Sequence, residues 1–312
     1  VEVAAPEAPA DGVLVVDKPA GPTSFDVVRR VRRALRARRA GHTGTLDPLA
    51  TGLLAVCVGE ALKLQQFLVA GDKAYQADVE FGSSTDSGDA EGAPVERADA
   101  ARLSAAEVEG ALPALTGEIE QVPPMFSAIR VGGRRLHEAA RSGETVERAP
   151  RRVRVHEIRL LDFRVRGEAA VARLLVRCGK GTYVRALAVD LGRALGLPAH
   201  LAALRRTEAG PFTLGLALAL AEAERLGRED PAALRARLVP PADAVGFLPA
   251  VRIDGAQAQA LRQGRVLRLG EAREGACRAL DGAGGLVAVC RLAGGDLHPV
   301  RVLAPQASGA RR

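Results

Sequence analysis

The sequence predicts a mixed α/β domain followed by a small β-rich one, and three observations predict it. Residues 74–81 and 169–178 alternate apolar and polar side chains with the two-residue period of half-buried strands. Short, continuous apolar runs at 12–17 and 53–58 read as fully buried strands, with helix-forming segments between them. From Val251 onward the character changes to several short β-like runs separated by glycine.

Each element follows from its residues. The run 12–17 ends at Lys18-Pro19, and Pro22-Thr23-Ser24 opens a helix expected to reach Arg39. Val27, Val31 and Leu35 fall one turn apart on its apolar face. Arg29, Arg30, Arg32, Arg33, Arg36, Arg38 and Arg39 crowd the remainder with no acid among them. Charge of one sign repels itself, so this face favours a phosphate partner over plain solvation. After the strand at 53–58 comes a short helix at 60–68. In 74–81, Tyr75, Ala77, Val79 and Phe81 share one face, which by pattern alone makes Tyr75 a core aromatic.

The turn cluster 83–92 carries Asp86, Asp89 and Glu91 without the spacing of a calcium loop, and is expected to be a solvated hairpin tip. Ser104 and Glu107 form a capping box for a helix that closes near Gly117. Residues 121–150 are a basic excursion. A strand at 125–131, a tight turn at Gly132-Gly133, Arg134 and Arg135, and a short helix to Arg141 capped by Ser142-Gly143 make it a protruding finger. Gly179-Lys180-Gly181-Thr182 is not a P-loop, because the earlier glycine of that motif is missing. It turns into a helix that carries Tyr183 and Arg185 and ends at Gly196. Residues 208–249 read as one or two helices and a linker. Asp254 and Gln257 cap a further helix, and the runs 265–269, 276–280 and 286–292 suggest a small barrel.

Bulk properties bound the function. At 312 residues and 47% hydrophobic, the chain can bury a real core as one large domain or a large and a small one. A formal charge of +7 and a pI near 9.8 point to a polyanionic partner, nucleic acid before membrane. No apolar run is long enough to span a bilayer. The acidic, proline-containing stretch 1–10 reads as a disordered tail and not a signal peptide, so a cytoplasmic location is expected. Cys57, Cys178, Cys277 and Cys290 are scattered and read as reduced thiols, neither a disulfide frame nor a zinc site.

The chemistry is expected in Gly41-His42-Thr43-Gly44-Thr45-Leu46-Asp47-Pro48-Leu49-Ala50-Thr51-Gly52, a turn-rich loop with one histidine and one carboxylate. Pro48 fixes its own φ and pushes Asp47 away from helical geometry, so Asp47 is presented from a stiff loop. Its composition alone also fits an ordinary turn.

The run GHTGTLDPLATGLL closely resembles the signature of the TruB family of tRNA pseudouridine synthases. Asp17-Lys18-Pro19, Lys73-Ala74-Tyr75, Met125-Phe126-Ser127-Ala128, Lys180-Gly181-Thr182-Tyr183-Val184-Arg185 and the stretch 201–206 resemble further motifs of that family, in its order. The resemblance covers 12–207 and weakens beyond. It implies a mixed, mainly antiparallel central sheet with flanking helices, the pseudouridine synthase fold, over 11–240, with 121–150 as an RNA clamp. It also implies a small PUA-like RNA-binding domain at 250–305. The implied activity is isomerisation of uridine 55 in the TΨC loop of tRNA, without metal or redox cofactor.

By the same resemblance Asp47 is the catalytic carboxylate, with Arg185 beside it to keep it ionised. Tyr75 is the stacking platform for the flipped-out uridine. Tyr183 and Leu204 complete the pocket, His42 fills the gap left by the flipped base, and Lys18 touches substrate or shapes the loop. Arg29, Arg33, Arg36, Arg134 and Arg135 would hold RNA phosphates. A monomer that needs no protein partner is expected. The alternatives are a guide-RNA-directed relative and a non-catalytic RNA-binding or RNA-folding protein on the same scaffold.

Overall fold

The computed structural model describes residues 10–124, 148–270 and 273–305, and the backbone alone at 130–131 and 134–135. The fold is mixed α/β with a β-rich C-terminal part, as the sequence predicts. The chain divides into two units. One comprises Val1–Pro48, Gly52–Ala70 and Ala209–Arg312, the other Leu49–Thr51 and Gly71–Glu208.

The first unit starts with β1 (Gly12–Lys18). Val13, Leu14, Val15 and Val16 are all buried, which is why this strand is apolar without alternation. Each such side chain contributes roughly 1.5–3 kcal/mol by leaving water. Helix α1 (Ser24–Ala34) follows, opened by a capping box in which Thr23 and Asp26 satisfy each other's backbone N–H groups. It buries Val27, Val31 and the capping Leu35, the expected face. The helix stops five residues short of the expected Arg39. Ala37 N–H donates to Arg32 O and Arg36 N–H to Arg33 O, a Schellman ending with Arg36 at φ 51°. Glycine is the usual resident of that position, so an arginine there hides the stop signal. β2 (Ala40–His42) and β1 both pair antiparallel with β3 (Thr51–Val58). A 3₁₀ turn at Gly59–Leu64 and α2 (Gln65–Val69) cover the strands with Ala61, Leu64 and Leu68.

The second unit is built on antiparallel pairs. β4 (Lys73–Phe81) leads into a hairpin of β5 (Ser83–Thr85) and β6 (Pro94–Arg97). After α3 (Ala105–Ala111), with the predicted Ser104/Glu107 capping box, come β7 (Gly117–Gln121), β8 (Arg130–Val131) and β9 (Arg134–Arg135). β8 and β9 pair antiparallel with Val131 opposite Arg134. The predicted helix to Arg141, the Met125–Ala128 motif and the tail at 1–9 lie outside the described residues. β10 (Arg151–Arg166) pairs with β7 and with β11 (Ala169–Cys178), and β11 pairs with β4 so that Tyr75 faces Val176. Helix α4 (Val184–Ala194) and β12 (Ala199–Ala209) complete the unit, the latter beside β4.

The chain then returns to the first unit through β13 (Phe212–Thr213) and β14 (Leu218–Ala219), which lies parallel to β1 with Leu218 opposite Val16. α5 (Leu220–Glu229), α6 (Pro231–Ala236) and α7 (Pro241–Ala244) occupy what the sequence shows only as Ala/Leu-rich. A methyl added at Gly227 of α5 would sit 2.7 Å from the Ala34 side chain, so α5 reaches α1 at a distance only glycine allows. The last five strands are β15 (Ala250–Arg252), β16 (Leu267–Arg268), β17 (Gly275–Leu280), β18 (Leu286–Ala293) and β19 (Asp296–Val302), in the order β15-β17-β18-β19-β16. α8 (Gly255–Arg262), capped by Asp254 and Gln257 as predicted, packs Ala258 and Leu261 into their core. Lys63 Nζ donates to Val302 O at 2.9 Å, and Ala304 N–H to Glu60 Oε2 at 2.7 Å, which fastens β19 to the 3₁₀ turn.

Candidate active site

In the first unit the loop after β2 presents Asp47. Side chains supply part of the backbone hydrogen bonding around this loop. Ser24 Oγ donates to Leu46 O and accepts from Leu46 N–H, both at 2.8 Å. Pro48 O accepts from Gly21 N–H at 2.9 Å and from Lys18 Nζ at 3.1 Å. Lys18 is fully buried and also donates to Pro19 O at 2.9 Å. This geometry serves the shaping of the loop, one of the two roles expected of Lys18. Asp47 itself is half-buried between these anchored neighbours. Thr43 N–H donates to Ala55 O at 3.0 Å, tying the start of the loop to β3. His42 Nδ1 accepts from Gly44 N–H at 3.3 Å, which leaves its ring proton on Nε2 in the neutral form. Gln65 Nε2 donates to His42 O at 2.6 Å.

The second unit holds Tyr75, Tyr183, Arg185 and Leu204. Tyr75 is only 8% exposed and lies on the buried face of β4 with Ala77, Val79 and Phe81. Tyr183 is the N-cap residue of α4 and has no side-chain cap of its own. The buried amide of Gln121 holds it at both ends: Tyr183 N–H donates to Gln121 Oε1 at 3.0 Å, and Gln121 Nε2 donates to Tyr183 O at 3.3 Å. Leu204 is buried on β12, and its carbonyl accepts from Thr51 Oγ1 at 3.4 Å.

Arg185 is not a helix-surface charge: it is 5% exposed, with Nη1 3.3 Å from Asp89 Oδ2 and 3.2 Å from Ser87 O. Asp89 is in turn organised by Ser87 Oγ at 2.6 Å and Glu91 N–H at 3.1 Å, both donating to Oδ1. This corrects the expected solvated tip at 83–92. The hairpin exists, but Asp89 is withdrawn from water as the counter-ion of a buried guanidinium. Local composition cannot signal this, because the partner lies far along the chain.

The arginine row is also less bare than its sequence. Arg29 pairs with Asp26 at 3.0 Å, Arg30 and Arg33 reach Glu224 of α5 at 3.1 and 3.8 Å, and Arg39 reaches Glu60 at 3.5 Å. Thr23, through its hydroxyl and backbone N–H, holds the Asp26 carboxyl below the usual carboxylate range. The expectation of unrelieved charge is therefore corrected: Asp26 just before the row, and Glu60 and Glu224 far along the chain, relieve part of it. Arg29, Arg33 and Arg36 nonetheless stay exposed. Arg134 and Arg135 lie on β9.

The cysteines form no disulfide. All four are buried and free, and burial pushes the thiols of Cys57 and Cys290 up to about 12 and that of Cys178 up to about 11. Among the described residues no group of three His, Cys, Asp or Glu is gathered to hold a metal ion, and no helix is long and apolar enough to cross a membrane.

Similarity to known proteins runs through the whole described chain. The description "TruB family pseudouridylate synthase (N terminal domain)" matches residues 32–184, "tRNA pseudouridylate synthase B C-terminal domain" 185–245, and "tRNA Pseudouridine synthase II, C terminal" 248–304. A protein of Symbiobacterium thermophilum named tRNA pseudouridine synthase B is 52% identical over 254 residues, covering 81% of this chain and 82% of its own. One of the same name from Saccharophagus degradans is 43% identical over 306 residues, covering 96% and 97%. Among solved structures, that of a Cbf5-Nop10-Gar1 complex superposes with a TM-score of 0.72 at 26% identity, covering 95% of this chain and 86% of that one. Fold and motifs together thus define a pseudouridylate synthase. Within that class the chain belongs to the TruB family.

Proposed function

We propose that the protein is a tRNA pseudouridine synthase that converts uridine 55 of the TΨC loop to pseudouridine. The observation that carries this reading is Asp47 in an intact GHTGTLDPLATGLL loop whose neighbours are fixed on both sides. In this reaction the bond from ribose C1′ to N1 of uracil breaks, the base turns, and C5 bonds to C1′. N1 gains a proton and C5 loses one, so atoms balance with no outside reactant. Asp47 serves at the ribose or base as nucleophile or as acid and base. The uridine leaves its stack to meet it, with Tyr75 as the platform and Tyr183 and Leu204 as walls. Arg185, paired with Asp89, carries the positive charge that this reading requires. His42 enters the space the base vacates.

Arg29, Arg33, Arg36, Arg134 and Arg135 hold phosphates of the T arm, which is read as a folded shape. The C-terminal strands β15–β19 act as a PUA-like RNA-binding module, and the enzyme works in the cytoplasm as a monomer. A solved structure of similar fold, that of an H/ACA RNP bound to a substrate RNA, keeps a guide-RNA-directed mode as the second reading. Turnover of a bare tRNA transcript with no added protein distinguishes the two. Asp47→Asn is expected to abolish pseudouridine formation while tRNA affinity stays within about tenfold, or ~1.4 kcal/mol. Retained isomerisation in that variant would remove Asp47 from the mechanism.

A further inference from the structure

We infer that Ser24 is a positioning residue for Asp47, which sets the carboxylate from the first turn of the arginine helix. The inference rests on the reading of Asp47 as the catalytic group and adds what holds it.

Ser24 is only 3% exposed, and so is Leu46, the residue it grips. Its hydroxyl makes both possible bonds to that one residue, donating to the carbonyl and accepting from the N–H at 2.8 Å each. A hydroxyl donates and accepts through one atom, and does both more strongly than a thiol. Water cannot stand in at so buried a position, so loss of the oxygen leaves both Leu46 groups short of a partner. On the far side of Asp47 the constraint has a different form. Pro48 has no N–H, and its peptide can be held only through its carbonyl, which Gly21 N–H and Lys18 Nζ hold at 2.9 and 3.1 Å. Asp47 is therefore one residue between two fastened peptide groups, and all three fasteners come from the stretch 18–24. Ser24 is the fastener that also belongs to α1, whose first turn the Thr23/Asp26 box fixes. The helix that bears Arg29 and Arg33 and the loop that bears Asp47 thus share one rigid joint.

A serine that merely packs a helix would lower thermal stability and leave the chemical step alone. A positioning serine acts on that step. The test uses the full chain and a tRNA transcript, with Ser24→Ala, Ser24→Cys and Asp47→Asn assayed together. For Ser24→Ala we expect the single-turnover rate to fall by roughly tenfold or more, as small misplacements of reacting groups do. The transcript Kd should stay within about twofold, since no binding group is removed. Exchange of the Leu46 amide hydrogen should quicken by about tenfold or more as its acceptor is lost. Ser24→Cys is nearly isosteric and keeps a weak donor and acceptor; it should show an intermediate rate and answers the question if the alanine variant does not fold. A wild-type single-turnover rate in either folded variant overturns the inference, as does a rate loss matched by an equal loss of affinity. Turnover by Asp47→Asn overturns the reading of Asp47 instead, while Leu46 exchange still reports whether Ser24 holds the loop.

Discussion

Asp47 and Tyr75 are held by opposite means. Tyr75 sits in a regular ladder, with β11 paired along the length of β4 from Lys73 to Phe81. Its place is fixed by many equivalent bonds, none of them decisive. Asp47 lies where no ladder runs, and its neighbours are held by individual contacts from Lys18, Gly21 and Ser24. A ladder is redundant; a tethered loop is not. The lesson is that the sensitive positions of this protein are to be sought among the tethers.

Substitutions of graded effect can break or sharpen that contrast. The largest is expected for Lys18→Ala, which removes two buried hydrogen bonds and leaves a cavity. Urea unfolding should show a loss of roughly 3 kcal/mol, and proteolysis should find the 43–50 loop first. A loss below about 1 kcal/mol would show that the loop is held by its own turns. Arg36→Gly tests a strained tether at the end of α1. Relief of the left-handed arginine should raise stability by about 1 kcal/mol, read as a higher melting temperature. The proposed phosphate contact would weaken at the same time, giving a more stable protein that binds tRNA less tightly. Smallest is Asp78→Ala on β4, which breaks the bidentate pair with Arg173 at 2.7 and 2.8 Å. That pair is partly solvated and the ladder beneath it is intact, so about 0.5 kcal/mol is expected. A large loss there would undo the claim that the strand is redundant.

The same contrast explains what the sequence discloses. Period and capping are local, so the alternation in β4, the apolar face Val27, Val31 and Leu35, and the boxes at Ser104 and Asp254 could all be read directly. The Asp47 loop was visible through its glycines and proline. Its tethers were not, because a serine hydroxyl carries no mark of the peptide it will grip. Asp89 was misread for a related reason: an acid in a turn reads as solvated until its distant guanidinium is known. The end of α1 was missed because Arg36 occupies a conformation that glycine or asparagine usually announces. β15 and β19 are short or interrupted by proline, and pairing across the sheet, not local preference, makes them strands.

One pairing also dictates an order of events. β14 completes the flank of β1, so β1 must wait for a partner made much later in the chain. While the ribosome is still elongating, the unit that carries Asp47 exposes one edge of its apolar strand, and closing so long a loop is slow. The unit that carries the Asp47 loop is therefore completed only after Leu218 has been made. Truncation at any point before Leu218 should yield a species that aggregates through that open edge instead of a smaller enzyme.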